Sequence, residues 1–259
     1  MNNDIADLCS LIAGARHCVA LTGAGISTLS GIPDFRGAGG LYTAAQPSGP
    51  VLSERVFDID TFEQDPTIFY KEAGPIVYTV DEKVPSIVHT ALAALEQRGR
   101  LKAVITQNID LLHQKAGSSR VFELHGSPRT HYCLHCAGIR VSYEEAAPLV
   151  KAGEMPRCPK CGRVLKPAIT FYGEPLPIDA LRDAEAEAQA ADLMLVLGTS
   201  LQVHPAADIP RTCLRNGGRL VIVNATPTYL DSAAILRFDD LAPVFEEIQR
   251  KFGTVGESN

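Results

Sequence analysis

Five short apolar runs, each ending in small or polar residues, limit what this chain can fold into. They are Cys18–Leu21 before Thr22-Gly23, Ala103–Ile105 before Thr106-Gln107-Asn108, Val121–Leu124 before His125-Gly126, Leu193–Leu197 before Gly198-Thr199-Ser200, and Leu220–Val223 before Asn224. Uninterrupted aliphatic runs of this length read as strands buried on both faces, the condition of a parallel sheet covered by helices. Helical stretches alternate with most of them. Ile87–Gln97 carries Ile87, Ala91, Leu92 and Leu95 at helical spacing, and Asp179–Ala191 is rich in Ala and Glu. Ile5, Leu8, Leu11 and Ile12 mark an opening amphipathic helix. The pattern predicts an α/β fold with a doubly wound, parallel, Rossmann-like sheet. Ligands of such sheets bind beyond the carboxyl ends of the strands. Every run delivers its polar residues at that end.

Two regions break the alternation. Residues 38–85 are rich in Pro, Gly and aromatics with weak helical periodicity, and residues 129–165 hold two cysteine pairs. Both read as inserts that form a small zinc-ribbon plus helical domain. The main domain is then discontinuous, covering 1–37, 86–128 and 166–252, and 253–259 reads as a disordered tail. A length of 259 residues suits one large domain with a smaller insert. The net charge of −6 gives no basic stripe for nucleic acid. No apolar run reaches the roughly 18 residues of a membrane span. The opening residues carry Asp4 and Asp7 instead of a basic region, so no secretory signal is expected and a cytoplasmic setting is.

The seven cysteines sharpen this reading. Four form Cys133-x2-Cys136 and Cys158-x2-Cys161, separated by 21 residues; Cys9, Cys18 and Cys213 stand alone. Paired thiolates from two tight turns converge on one ion and complete a tetrahedral, closed, structural zinc site in a reducing compartment. The competing reading is unpaired thiols in a loop; zinc is favoured because the two pairs flank a small polar insert with too little core of its own. A closed zinc site gives structure and does not by itself assign a function.

Three further motifs carry chemistry. After the first strand comes Thr22-Gly23-Ala24-Gly25-Ile26-Ser27, where glycines let backbone approach a pyrophosphate and the following amides can donate to it. Thr28 stands where a dinucleotide fingerprint has its third glycine, and Pro33 with flanking glycines disfavours a long helix. A loop carrying Phe35 and Arg36 would instead fold over the ligand. Alone, the motif also fits a tight strand–helix turn. Asn108 and Asp110 of Gln107-Asn108-Ile109-Asp110 can address a ribose hydroxyl or water and a carboxamide; the plain alternative is an Asx-capped turn. His125 ends a strand where these segments converge, and a neutral imidazole there can take a proton from a ribose hydroxyl. Asn224 can bond ribose hydroxyls without charge, and Gly198, Thr199 and Ser200 offer donors at the neighbouring strand end; a turn former and a helix cap are their ordinary roles.

Taken together, these residues resemble the sirtuins from about residue 8 to 250. The run from Gly23 to Gly37, Thr106–Asp110, His125-Gly126, both cysteine pairs, Lys166–Glu174 and Gly198–Ala206 match that family's motifs in order. The resemblance implies an NAD-consuming protein lysine deacylase. The acyl oxygen attacks C1′ of the nicotinamide ribose, nicotinamide leaves, His125 acts as general base with Asn108 beside it, and O-acyl-ADP-ribose and free lysine result. It further implies that Gly23, Ala24, Gly25, Ser27, Thr28, Phe35, Arg36, Gln107, Gly198, Thr199, Ser200, Asn224 and Ala225 bind the dinucleotide. Asn108, Ile109 and Asp110 would hold its nicotinamide end, and Thr170, Phe171, Gly173, Glu174 and Val203 would form the acyl-lysine channel. An extended acyl-lysine peptide would pair there by backbone hydrogen bonds. Thr170, Tyr172 and Leu111 depart from the usual Val, Phe and Gly. Tyr70 is followed three places on by Ala73, so the Tyr-x-x-Arg pair of desuccinylating members is missing and uncharged acyl groups are expected. ADP-ribosyl transfer to protein, or a non-catalytic NAD and zinc sensor, are the alternatives.

Overall fold

The computed structural model describes residues 2–44 and 51–253. Helix α1 (Asn2–Gly14) leads into β1 (Cys18–Thr22). The chain then leaves for three short helices, α2 (Ile59–Gln64), α3 (Thr67–Glu72) and α4 (Gly74–Val77), and returns through α5 (Ile87–Gln97), β2 (Ala103–Thr106), α6 (Leu112–Lys115) and β3 (Val121–Glu123). A second excursion holds β4 (Gly126–Tyr132), β5 (Arg140–Ser142), α7 (Tyr143–Lys151) and β6 (Lys166–Ile169). The rest alternates α8 (Ile178–Ala190), β7 (Leu193–Leu197), α9 (Ile209–Arg215), β8 (Arg219–Val223), β9 (Ala234–Phe238) and α10 (Leu241–Phe252).

Six strands form one parallel sheet in the order β3-β2-β1-β7-β8-β9. Alternate residues of each strand face opposite layers. Cys18 and Ala20 share a core with Leu195, Leu197 and Val221 under α1, α5 and α10. Val19 and Leu21 share another with Met194, Val196 and Ile222 under α8 and α9. Burial on both faces is why these strands read as unbroken apolar runs, and each fully buried aliphatic side chain contributes roughly 1.5–3 kcal/mol. The observed strands match the five runs to within one residue at each end. β9 has no counterpart among them. It is an edge strand whose Ile235 is exposed and whose Arg237 interrupts the apolar pattern.

The inserts meet in a second layer. β5-β4-β6 is an antiparallel three-stranded sheet. β6 lies in the stretch expected to belong to the main domain, yet it pairs with β4; likewise β4 begins at Gly126, before the expected boundary at 128. Sequence reading passed over β6 because four residues opening on Lys166-Pro167 show neither a continuous nor an alternating apolar pattern. α7 is started by a capping box in which Ser142 and Glu145 satisfy each other's backbone amides. An aromatic core joins α2, α3 and α4 to this layer. Phe171 sits edge-on to Phe57 and Phe62 at 5.8 and 5.6 Å and packs on Phe69 at 5.2 Å. Gly253 closes α10, and the rest of the expected tail, 254–259, lies outside the described residues.

Candidate active site

β1 and β7 are neighbours, but the chain leaves them toward opposite sides of the sheet, so the loops that follow open a crevice at the switch point. The two loops touch. The Gly23 and Gly25 amides donate to the carbonyls of Leu197 and Gly198, both at 2.9 Å. A Cβ on Gly25 would lie 2.8 Å from the Gly198 Cα, and Gly198 has a left-handed φ of 60°. The glycines are thus required for the loops to meet, and their own two amides are committed to protein carbonyls. No long helix follows: two 3-10 turns, Ala24–Ile26 and Thr28–Ser30, end at Gly31 with φ 73°.

At the end of β2, Gln107 Nε2 donates to Thr199 Oγ1 at 3.0 Å and so links the β2 and β7 loops. Asn108 Nδ2 donates to Gly23 O and Ser27 Oγ, both at 3.2 Å, which leaves its Oδ1 as the remaining acceptor. Ser27 Oγ donates to Asp110 Oδ2 at 2.6 Å, and the Leu112 amide donates to Oδ1 at 3.0 Å. Burial pushes the Asp110 carboxyl above its ordinary range, opposed by these two hydrogen bonds. Leu111, with φ 63°, holds a left-handed conformation that glycine adopts more readily.

His125 follows β3. Its Nδ1 lies 2.8 Å from the Gln107 carbonyl oxygen, which can only accept, so Nδ1 carries the hydrogen and Nε2 is the basic atom. Burial lowers its pKa below the ordinary histidine value, opposed by the same hydrogen bond, so the ring is neutral at neutral pH. Its own carbonyl accepts from Thr170 N at 2.8 Å, which ties the imidazole to the segment after β6.

Most of these groups line one cavity of about 1420 Å³, larger than the few hundred to about 1,000 Å³ of usual small-ligand sites. Gly23, Ala24, Gly25, Thr28, Phe35, Arg36, Gln107, Asn108, Ile109 and His125 line it, with Gly198, Thr199, Ser200, Asn224 and Ala225 from the β7 and β8 ends. Thr170, Phe171, Gly173, Glu174 and Val203 line it as well. Ser27 and Asp110 are placed behind the lining, each almost fully buried, and brace the wall. Phe35 packs on Tyr42 and Phe57, while Arg36 is held by Glu54 at 2.7 Å and by the Tyr172 hydroxyl at 3.0 Å. Asn224 Nδ2 donates to Thr226 O at 2.7 Å, leaving Oδ1 to accept. Tyr42, Phe57, Leu176 and Asp239 also line the cavity and were not singled out from the sequence. The aromatic content of residues 38–85 was the signal for the first two; nothing local marks the others.

At the far end of the small sheet the Sγ atoms of Cys133, Cys136, Cys158 and Cys161 lie within 4.8 Å of one another, and Cys133 and Cys161 are 3.7 Å apart. A tetrahedral ion with bonds of about 2.3 Å requires sulfurs about 3.8 Å apart, so the four residues fit one structural zinc. No disulfide forms among them.

A doubly wound sheet with a large switch-point cavity, a neutral imidazole on its wall and a thiolate metal module beside it defines a dinucleotide-using group-transfer enzyme. Residues 23–205 match the Sir2 family, and the chain belongs to it. The NAD-dependent protein deacetylase of Thermotoga maritima is 44% identical over 229 residues, 88% of this chain and 90% of that protein. The NAD-dependent protein deacylase 2 of Archaeoglobus fulgidus is 40% identical over 256 residues, 96% of this chain and 98% of that one. Among solved structures, Sir2 with a deacetylated p53 peptide and 3′-O-acetyl ADP-ribose superimposes with a TM-score of 0.86 at 42% identity, covering 95% and 96% of the two chains. Sir2Tm bound to a propionylated peptide gives 0.82 at 41% over the same shares.

Proposed function

We propose that this chain is an NAD-dependent protein lysine deacetylase in which His125 is the general base. The reading is carried by one observation: the His125 imidazole is fixed through Nδ1 to Gln107, neutral, on the wall of the cavity that the glycine loop and residues 170–174 both line. NAD is consumed as co-substrate, and the products are nicotinamide, the free lysine and O-acyl-ADP-ribose. Nε2 accepts a proton from a ribose hydroxyl. Asn108 Oδ1 orients a hydroxyl or water, and Ile109 and the braced Asp110 shape the nicotinamide end. Phe171 and Val203 enclose the apolar lysine stem and keep water out, while residues around Gly173 pair with an extended peptide. Four thiolates that hold zinc and form no disulfide fit a reducing, cytoplasmic setting. No helix among the described residues is long and apolar enough to cross a membrane, and the acidic balance favours lysine-bearing protein partners over nucleic acid.

His125→Ala should lower turnover of an acetyl-lysine peptide by about 10²–10⁴-fold, with zinc content and circular dichroism unchanged. Turnover at the level of the unsubstituted enzyme would remove His125 from the mechanism.

A further inference from the structure

Lys166 opens β6 and is fully buried, 0% exposed. A buried ammonium is costly unless its charge is paired and all three hydrogens are accepted. Here they are: Nζ reaches Glu174 Oε2 at 2.8 Å, the Ile169 carbonyl at 2.6 Å and the Pro167 carbonyl at 3.3 Å. Burial lowers the Lys166 pKa and the Glu174 carboxylate raises it. The same Nζ lies 3.9 Å from the centre of the Phe171 ring. Glu174 closes the arrangement, accepting from the Phe171 amide at 2.8 Å through Oε2 and from the Tyr132 hydroxyl at 3.2 Å through Oε1. Both ends of the segment 169–174 are therefore fastened to one side chain, and the ring between them rests on it. That segment supplies Thr170, Phe171 and Gly173 to the cavity wall.

We infer that Lys166 is a positioning residue for the acyl-lysine substrate: with Glu174 it clasps the 169–174 segment, setting the Phe171 wall of the channel and the backbone that the peptide pairs with. The inference rests on the deacetylase reading above and assigns Glu174 to holding the wall, its carboxylate being committed to Lys166, Phe171 and Tyr132. The dinucleotide side of the cavity is built from other elements, the loops after β1, β2, β7 and β8, none of which Lys166 touches through a hydrogen bond. The clasped segment also carries the Thr170 amide bound to the His125 carbonyl and the Tyr172 hydroxyl bound to Arg36, so a loosened clasp should act more strongly on the peptide than on NAD.

The test is steady-state deacetylation of an acetyl-lysine peptide by full-length Lys166→Met, varying peptide and NAD separately. The peptide KM should rise about tenfold, while the NAD KM and kcat stay within about twofold, since misplacing a wall by a fraction of an ångström is felt where contact is made. Lys166→Met leaves Glu174 without its cation, so Lys166→Met with Glu174→Gln is the companion variant; zinc content and circular dichroism report folding. An unchanged peptide KM in a folded variant overturns the inference, as does a parallel rise in both KM values. Failure of both variants to fold makes the pair a folding requirement and likewise overturns the positioning role. If the unsubstituted enzyme does not deacetylate the peptide, the deacetylase reading itself fails.

Discussion

The large sheet and the small layer solve the same problem with different means. In the large sheet β1, β7 and most of β8 are buried residue after residue, and two apolar cores clamp them from either side. In the small layer no strand is buried throughout. Order comes instead from four converging thiolates, a cluster of rings gathered from Phe57 to Phe171, and one buried ion pair. The first arrangement is continuous and depends on no single group. The second depends on a few specific contacts, and it supplies the cavity wall proposed to hold the acylated lysine. On the proposed reading the large sheet presents most of the dinucleotide side and the small layer presents the protein substrate.

Removing zinc is the strongest way to separate the two. A tight chelator, or Cys158→Ser, should abolish deacetylation, by at least about 100-fold, because metal-binding energy is folding energy for such a module. Far-ultraviolet circular dichroism should keep most of its helical signal from the large sheet's covering helices. Complete unfolding on chelation would show that the halves are not separable, and retained activity would show that the small layer stands without metal.

Acid should act on both halves. Burial lowers the pKa of His89, beneath the glycine loop, to about 4, and that of His131, on β4 against Tyr78, also to about 4. Both rings are neutral in the folded chain, whereas in the unfolded chain each titrates near 6.5. Their contribution is full above about pH 6.5 and is lost as pH falls toward 4, at most ~3 kcal/mol per ring. Thermal unfolding followed from pH 7 to 4.5 should show a falling midpoint. A midpoint flat across that window would contradict the burial of both imidazoles. Activity should fall along an acid limb below pH 6.5, since His125 must be neutral to accept a proton.

The smallest effect concerns the acyl group. The Tyr70 hydroxyl donates to the Leu165 carbonyl at 2.6 Å, and Ala73 is fully buried, so no arginine or free phenol meets an acyl carboxylate there. Acetyl-lysine peptide should be cleaved at least several-fold faster than the succinyl peptide in a side-by-side assay; the reverse order would place an unrecognised cation in the channel.

The contrast also explains what could be read from the chain beforehand. Strands buried on both faces are written as runs such as Leu193–Leu197, and two Cys-x-x-Cys pairs state their own geometry, so the sheet and the metal module were legible. The places of His125 and Asn108 on the cavity wall were legible because both follow such runs. The ring cluster was not, because Phe57, Phe62 and Phe69 meet Phe171 only after about a hundred intervening residues have folded. Lys166 was passed over for a different reason: its partners lie within eight residues, but nothing in the pattern of 166–174 says that a lysine there is buried. The glycines were recognised but for an incomplete reason, since Gly23 and Gly25 are needed first for contact with Gly198 and Thr199.

The central claim is that one cavity brings NAD and an acylated lysine together beside the neutral His125. Mass spectrometry of an acetyl-lysine peptide incubated with the enzyme, with and without NAD, tests it directly. The account predicts, only with NAD, a peptide lighter by one acetyl group, together with nicotinamide and O-acetyl-ADP-ribose. A peptide of unchanged mass, or ADP-ribose attached to protein in place of acetyl transfer, would contradict it.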